Sequence, residues 1–321
     1  MRRGGGPAQP LQGAWSAVLA PLRPHDPRQA GGFTLLGRLG SGTAGVTYLA
    51  KSTILGRLAA VKVLRPEVAD ELRSRSRFRQ EARIAARIRG PHVAGVLDYG
   101  DYGDTVWIAS TYIRGPSLDR LVRTCGPLRV PGVKWLAAGC AEALASIHAA
   151  QMVYRDLKPS NVIITERMPV ILDVGMAAEA PTVFFTTSAR ALTRACYLAP
   201  EQTRGAQHTG PAADMFSLGA TLVFAATGHP PFPGAAVIDI LQSLAAAPPE
   251  LSDLPEELHD IVSHCLRRDP AQRPTASELI TLLLTSLGER PDRDTPPLPG
   301  CALDLIEEYH NLAVPETDVR R

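Results

Sequence analysis

Lysine is scarce in this chain. Its 321 residues include four Lys, at positions 51, 62, 134 and 158, against 30 Arg. Lys and Arg together number 34 and Asp and Glu number 32, so the net charge is only +2. That balance excludes a polybasic nucleic-acid-binding protein as the default class. Because the pKa of Lys shifts readily with its surroundings and Arg stays charged, each remaining Lys is a candidate for a specific chemical role.

Cysteine is also sparse, and long apolar runs are missing. The five cysteines are Cys125, Cys140, Cys196, Cys265 and Cys301. Their odd number and the lack of a C-x-x-C pair argue against a disulfide framework or a zinc site, and predict reduced thiols in a cytoplasmic protein. The longest apolar stretch, Met215–Gly228, has 14 residues, fewer than the roughly 20 that a membrane-spanning helix needs. We therefore expect a buried core helix there and no membrane segment in this chain.

Changes in composition divide the chain into four parts. Residues 1–32 are rich in Gly, Pro and Arg and predict a flexible arm. Residues 33–113 alternate apolar and polar positions between turn signals, with one helical segment, whereas residues 114–288 show mostly helical periods. Residues 289–321 combine a Pro-rich linker with a short amphipathic segment. Strands with one helix, followed by helices, predict an α+β fold of two packed lobes.

The segment Gly40–Gly45 fits the pattern G-x-G-x-x-G. A dinucleotide-binding turn would continue into a helix, but strand-like residues follow here, so we expect a hairpin. The backbone N–H groups of such a hairpin can cover phosphates. A simple tight glycine turn explains the same pattern and stays open from these residues alone.

Two charged residues are predicted to face the interior of the first lobe. Lys62 lies in an apolar strand pattern, and Glu81 shares a helix face with Phe78 and Ile88. A buried carboxylate needs a cation, and a buried ammonium group needs an anion. We therefore expect Lys62 to pair with Glu81, although a Lys at a sheet edge that extends to solvent fits the same pattern.

The densest group of polar residues lies in the loop at residues 154–161. It brings an acid, a base and an amide, Asp156, Lys158 and Asn161, into six positions. A second acid, Asp173, follows a predicted pair of short strands. Mg²⁺ prefers carboxylate and amide oxygens together with substrate phosphates. Asn161 and Asp173 could therefore share a metal ion and leave Asp156 to receive a hydroxyl proton.

These motifs resemble those of the bacterial eukaryotic-type (Hanks-type) Ser/Thr protein kinases, and the Arg-rich composition is similar to that of actinobacterial members. The resemblance covers residues 33–287. In the family's order, it includes the glycine-rich loop, Ala-Val-Lys, the helix Glu, the 154–161 loop, Asp-x-Gly, Ala-Pro-Glu, Asp214 and Arg273. It implies a bilobal fold, with a small β-rich lobe carrying one helix and a larger, mostly helical lobe. It also implies transfer of the γ-phosphoryl group of ATP to protein Ser or Thr hydroxyls, with Mg²⁺ or Mn²⁺.

The resemblance assigns roles to individual residues. Asp156 is implied to be the catalytic base, Lys158 to contact the γ-phosphate, and Asn161 and Asp173 to bind the metal. The implied nucleotide-binding positions are Leu39, Gly40, Ser41, Gly42, Thr43, Gly45, Thr47, Ala60, Lys62, Glu81, Ser110, Thr111, Tyr112, Ile113 and Ile163. Among them, Ser110 is the implied gatekeeper, and the next three residues are the implied hinge.

Other implied roles concern structure and regulation. Glu201 is expected to pair with Arg273, and Asp214 to cap the backbone of the 154–161 loop. The activation segment is implied to be autophosphorylated at Thr186 or Ser188, for which the resemblance allows a transient dimer. Proteins carrying Ser or Thr are the implied partners, and nucleic acid is not.

Two other functions stay open. Compared with the family pattern, Val174 in Asp-x-Gly, Thr47 over the expected adenine site and Arg194 near the substrate loop favour a nucleotide-binding pseudokinase. A small-molecule kinase of similar fold is the second alternative, and the complete Ala-Pro-Glu segment argues against it. The tail at residues 289–321 is interpreted as a passive tail or as an autoinhibitory or docking element.

Overall fold

The computed structural model describes residues 19–42, 45–65, 72–102, 105–174, 189–205, 208–286 and 296–312. They form a β-rich lobe followed by a larger helical lobe, as the sequence predicts. Within these ranges, no helix combines the length and the apolar character needed to cross a bilayer.

The first lobe is built on a six-stranded antiparallel sheet with strand order β1-β2-β3-β4-β6-β5. Its elements are β1 Gln29–Ala30, β2 Phe33–Ser41, β3 Gly45–Ser52, β4 Leu58–Leu64, helix α1 Leu72–Ala85, β5 Val96–Tyr102 and β6 Thr105–Thr111. The register pairs Lys62 with Thr47 and Ile108, and Ala60 with Ser110. Since side chains alternate across a strand, Ala60 and Lys62 share one face of the sheet.

The segment from Leu19 to the start of β2 packs against the sheet, so the flexible arm predicted over residues 1–32 is wrong for residues 19–32. Residues 1–18 lie outside the described residues. Leu19 is buried, and Ala20 pairs with Arg38 through two backbone hydrogen bonds. The Asp26 carboxylate accepts hydrogen bonds from Arg38 Nε at 2.7 Å and from the Tyr48 hydroxyl at 2.9 Å. Hydrogen bonding from Arg38 lowers the pKa of Asp26 to about 2. Composition alone did not reveal this order, because one buried charge network supplies it.

The second lobe contains the remaining elements. They are α2 Leu118–Cys125, α3 Val130–Ala149, β7 Val162–Ile164, β8 Pro169–Ile171, α4 Ala189–Ala195, α5 Pro211–Thr227, α6 Val237–Ala246, α7 Glu256–Cys265, α8 Ala276–Ser286 and α9 Gly300–His310. Strands β7 and β8 form a separate antiparallel pair. The mostly helical character predicted for residues 114–288 is confirmed.

Helix α5 forms the centre of this lobe and confirms the predicted core helix. Pro211 occupies its first turn, where a missing N–H costs no hydrogen bond. Gly228 ends it at a φ of 85°, a left-handed conformation that glycine adopts without strain. Residues 213–225 between them are buried without exception, so this helix packs against protein on all sides.

A disulfide joins Cys125 to Cys301, so the expectation of reduced thiols throughout is wrong for these two residues. Cys125 ends α2, and Cys301 lies in the first turn of α9, 176 residues further along the chain. Counting cysteines and looking for a local C-x-x-C pair cannot detect a bond whose partners meet only in the folded chain. Cys140 and Cys265 are buried as free thiols.

Glu201 and Arg273 form the expected ion pair in the second lobe. Arg273 donates to both carboxylate oxygens of Glu201, at 2.6 and 2.9 Å. The guanidinium also donates to the backbone carbonyl oxygens of Ala212 and Arg267 and lies 4.9 Å from the ring centre of Phe216. Breaking such a buried pair from one side leaves an uncompensated charge.

We therefore expect Arg273→Ala to lower the free energy of unfolding by about 3–5 kcal/mol, because Glu201 loses its cation. Urea denaturation followed by circular dichroism measures this change. The matched control, Arg267→Ala, removes an exposed guanidinium and should change stability by no more than about 0.5 kcal/mol. Equal stabilities of the two variants would contradict the structural role of this pair.

Candidate active site

A cavity of about 630 Å³ lies between the two lobes. Most of the residues predicted for the site line it. From the first lobe and the following segment these are Leu39, Gly40, Ser41, Gly42, Thr47, Ala60, Lys62, Ser110, Thr111, Tyr112 and Ile113; from the second lobe they are Asp156, Lys158, Asn161, Ile163 and Asp173. The volume falls within the roughly 300–1,000 Å³ that ligand pockets occupy.

Some predicted residues do not line this cavity. A Cβ atom at Gly45 would collide with the backbone carbonyl of Val63, so this glycine is required for close strand packing. Glu81 lies beside Arg155 instead, with 4.0 Å between Oε1 and Nη1. Thr43, Thr186 and Ser188 lie outside the described residues.

Asp156 stands at the centre of a compact group of charges. Its carboxylate accepts hydrogen bonds from Lys158 Nζ at 2.7 Å and from the Asn161 amide at 3.0 Å. Its other oxygen lies 3.2 Å from Arg194 Nε. Burial raises the pKa of Asp156, but the charges of Lys158, Arg194 and Lys62 outweigh that effect, so the pKa lies below its ordinary value. The carboxylate is therefore ionised at neutral pH.

The loop that carries Asp156 is held by a buried carboxylate from α5. Asp214 is fully buried, and its oxygens accept hydrogen bonds from the backbone N–H groups of Tyr154 at 2.8 Å and Arg155 at 2.7 Å. His148 Nε2 also lies 2.7 Å from Asp214. These bonds confirm the predicted cap. They also hold Arg155 at a φ of 68°, a conformation that non-glycine residues rarely adopt.

Tyr154 connects this loop to the segment that carries Asp173. Its side chain is buried, and its hydroxyl donates to the carbonyl oxygen of Leu172 at 2.7 Å. Burial raises the pKa of Tyr154 well above its ordinary value, and the negative charges of Asp156 and Asp173 raise it further. The hydroxyl therefore stays protonated and acts as a fixed donor between the two loops.

The expected ion pair between Lys62 and Glu81 is wrong for this conformation. Among the described residues, the ion-pair partner of Lys62 is Asp173, with Nζ 3.0 Å from Oδ2. The backbone at Asp173 has a φ of 56°, a conformation that non-glycine residues rarely adopt. Helix periodicity placed Glu81 correctly on the inward face of α1, but it could not specify which cation that face meets.

The predicted metal-binding residues fit a Mg²⁺ ion that also binds substrate phosphates. The Asn161 side-chain N–H₂ donates to the backbone carbonyl and the carboxylate of Asp156, which leaves its oxygen as the ligand. The Asp173 carboxylate is 30% exposed and lines the cavity. The described residues contain no group of three or more His, Cys, Asp or Glu side chains suited to a metal. Two oxygen donors completed by phosphates and water are typical of Mg²⁺.

The cavity also contains residues that the sequence analysis did not assign to it. They are Gly115, Ser117, Asp119, Arg123, Ser160, Leu172, Thr193, Arg194 and Tyr309. The group at 115–123 directly follows the expected hinge, so its position along the chain is a usable signal. Arg194 had been noted as a departure from the family pattern, without a contact. No signal in the sequence indicates that Tyr309, in α9, reaches this cavity.

Comparison with known proteins agrees with this geometry. The family model described as "Protein kinase domain" matches residues 33–282. The chain is 40% identical over 294 residues to the serine/threonine-protein kinase AfsK of Streptomyces coelicolor, which covers 90% of this chain and 37% of that protein. It is 41% identical over 268 residues to the probable serine/threonine-protein kinase PkwA of Thermomonospora curvata, covering 84% of this chain and 36% of that protein. The chain thus spans little more than a third of the length of these curated relatives.

Solved structures show the same fold. The crystal structure of the Mycobacterium tuberculosis PknI kinase domain superposes with a TM-score of 0.64 at 26% sequence identity, covering 80% of this chain and 97% of that one. A second crystal structure of that kinase domain gives a TM-score of 0.66 at 27% identity. The two-lobe architecture inferred from the motifs is therefore confirmed.

The contacts of Asp214 lead to a prediction about local order. Asp214→Asn keeps one acceptor oxygen and replaces the other by an NH₂ group that donates, so the backbone N–H groups of Tyr154 and Arg155 are left with one acceptor between them. We expect their hydrogen exchange to accelerate on the order of tenfold or more, as measured by mass spectrometry on peptides covering residues 152–158. The control Asp253→Asn changes an exposed carboxylate and should leave these peptides unchanged. Unchanged exchange in Asp214→Asn would contradict the capping role.

Proposed function

Because the chain belongs to the protein kinase family, we propose that it transfers the γ-phosphoryl group of ATP to Ser or Thr hydroxyls of proteins. The observation that carries this proposal is one cavity that gathers Lys62, Asp156, Lys158, Asn161 and Asp173. These are the polar positions that phosphoryl transfer requires for holding phosphates, for binding metal and for receiving the hydroxyl.

Each end of the cavity has chemistry suited to one part of ATP. Ala60 and Ile163 line it on opposite lobes and suit the two faces of an adenine ring. Lys62 would neutralise phosphate charge in a state in which Asp173 held the metal ion instead of Lys62. Because Asp156 is ionised and held by Lys158 and Asn161, it can accept a hydrogen bond from the substrate hydroxyl and orient that oxygen toward the γ-phosphate.

Mg²⁺ or Mn²⁺ bound by Asn161 and Asp173 would supply positive charge at the phosphates and neutralise the charge that develops during transfer.

The scarcity of lysine supports an active enzyme rather than the pseudokinase alternative. Two of the four lysines, Lys62 and Lys158, stand where phosphates would lie, although Arg has replaced Lys almost everywhere else. We propose the predicted cytoplasmic location because ATP is available there; the Cys125–Cys301 disulfide removes the support that reduced thiols gave to that prediction.

We assign the conformation to a resting state of the enzyme. Arg194 covers the carboxylate of Asp156, where a substrate hydroxyl would bind. Lys62 is bound to Asp173 rather than being free for phosphates. Autophosphorylation at Thr186 or Ser188 would add a dianion close in sequence to Arg194. We expect such a phosphate to pair with cations such as Arg155 and Arg194 and to draw them away from their present partners.

The roles of Lys62 and Asp156 give the first prediction of activity. Lys62→Met removes the phosphate-binding cation, and Asp156→Asn removes the acceptor for the hydroxyl. We expect each to reduce radiolabel transfer from ATP to a generic protein substrate by about 10²-fold or more. Lys51→Met is the matched control, because Lys51 is exposed on β3 outside the cavity, and it should keep wild-type activity.

Unchanged transfer in either site variant would contradict the assigned roles. A wild-type protein that binds ATP but transfers no phosphate, even after preincubation with Mn²⁺, would instead favour the pseudokinase.

The contact between Arg194 and Asp156 gives a second prediction of activity. Arg194→Ala removes a partly exposed ion pair worth about 1 kcal/mol, so the initial rate of unphosphorylated enzyme should rise by roughly fivefold. The control Arg204→Ala removes an exposed guanidinium from the same region and should leave the rate unchanged. A lower rate in Arg194→Ala would mean that Arg194 supports the active state, contrary to its assignment as a cover.

A further inference from the structure

We propose that helix α9 completes the nucleotide pocket, with Tyr309 as a contact for the nucleoside and the Cys125–Cys301 disulfide as the clamp that holds the helix in place. The proposal rests on the proposed function, because its ligand is ATP. It goes further by assigning part of the binding site to the C-terminal tail.

The helix docks through one apolar face. Ala302, Leu305, Ile306 and Tyr309 are each less than one-tenth exposed, and they recur at intervals of three and four residues. Such spacing places them on one stripe of the helix. The stripe packs against α2, the helix that directly follows the hinge. The amphipathic segment predicted from the sequence therefore has its apolar partner within this chain.

Both ends of α9 are attached to the rest of the molecule. At its first turn, Cys301 is bonded to Cys125 at the end of α2. At its last turn, Arg114 Nη1 donates to the carbonyl oxygen of His310 at 2.6 Å. Arg114 directly follows the hinge residue Ile113, so the helix is tied to the segment expected to bind adenine. His310 Nδ1 also lies 3.3 Å from Oε1 of Glu166, which is in the turn between β7 and β8.

Tyr309 lies at the nucleoside end of the cavity. It lines the cavity together with Tyr112, Ile113 and Asp119. The residue next to it, His310, accepts a hydrogen bond from Arg114, which directly follows the hinge. The phosphate end, marked by the pair Lys62–Asp173, is built from other elements. Tyr309 is therefore placed to contact the ribose or the edge of the adenine.

Tyr309 lines the side of the cavity and does not fill it. The side chain is 9% exposed, so most of its surface is already covered by protein. The cavity still measures about 630 Å³ with the ring in place, which is enough for a nucleotide-sized ligand. An aromatic ring in such a wall adds apolar contact area at a low cost in conformational entropy.

The disulfide makes this wall sensitive to thiols. A dithiol reductant would give two electrons and two protons to the Cys125–Cys301 bond, releasing two thiols, while the dithiol itself closes to a disulfide. Cys301 is an exposed residue, so we expect a dithiol in solution to reach the disulfide. After reduction only non-covalent contacts hold α9, its effective concentration at the pocket falls, and nucleotide binding should weaken.

The first test measures the Kd of Mg²⁺–ATP by isothermal titration calorimetry on the full chain. Tyr309→Ala should weaken binding by about 3- to 10-fold, the usual worth of an aromatic contact. Tyr309→Phe keeps the ring and should bind like wild type. Glu307→Ala, an exposed position on the same helix, should also bind like wild type.

The second test addresses the clamp. Treatment of the wild-type chain with dithiothreitol should weaken Mg²⁺–ATP binding. The double variant Cys125→Ser, Cys301→Ser should bind as weakly as the reduced wild type and should not respond to dithiothreitol. Equal affinity before and after reduction overturns the clamp.

The outcomes separate this inference from the proposed function. If the wild-type chain binds no ATP, the proposed function fails. If it binds ATP and Tyr309→Ala binds equally well or more tightly, the tail is not a binding element and this inference fails. If Tyr309→Ala does not fold, the proposal is tested instead by hydrogen exchange of residues 300–312 in the wild-type chain. ATP should slow that exchange, and an unchanged rate overturns the proposal.

Discussion

The buried carboxylate of Asp214 is the contact on which the site depends. It comes from the central helix α5 and accepts hydrogen bonds from two consecutive backbone N–H groups of the 154–161 loop. Arg155 can keep its left-handed backbone only because these bonds, and one from Gln202 to its carbonyl oxygen, hold it. The positions of Asp156 and Lys158 follow from that backbone. The core of the larger lobe thus sets the geometry of the cavity.

The described charges in and beside the cavity are arranged in pairs of an anion and a cation. Asp156 is bound by Lys158 and Arg194, Asp173 by Lys62, and Glu81 lies near Arg155. Such pairing stabilises a state in which Lys62, Lys158 and Arg194 are already bound to carboxylates. In the proposed function, nucleotide and metal would exchange these partners on binding, which is why we assign this conformation to a resting state. In the proposal for α9, the clamped helix would add a second level of control, because its Tyr309 lines the same cavity.

Much of the fold and of the candidate site could be predicted from the sequence alone. Strands and helices were predicted from apolar periods within short segments. The polar site residues were predicted from motifs with a fixed spacing, such as the 154–161 loop. The pairing of Glu201 with Arg273 and the cap by Asp214 were also predicted correctly from the family pattern. What failed depended on contacts between distant segments. Lys62 pairs with Asp173, Cys125 is bonded to Cys301, and Tyr309 lines the cavity. Periodicity shows which face of an element is buried, but only packing decides which distant residue that face contacts.

The central claim is that the cavity transfers phosphate and that its resting arrangement is relieved by phosphorylation. Intact-mass and peptide mass spectrometry of the purified chain, before and after incubation with Mg²⁺–ATP, tests this claim most directly. We predict added phosphoryl groups that map to Thr186 or Ser188 in the wild-type chain and are missing in Asp156→Asn. An unchanged mass in the wild-type chain, or the same phosphorylation in Asp156→Asn, would contradict the account.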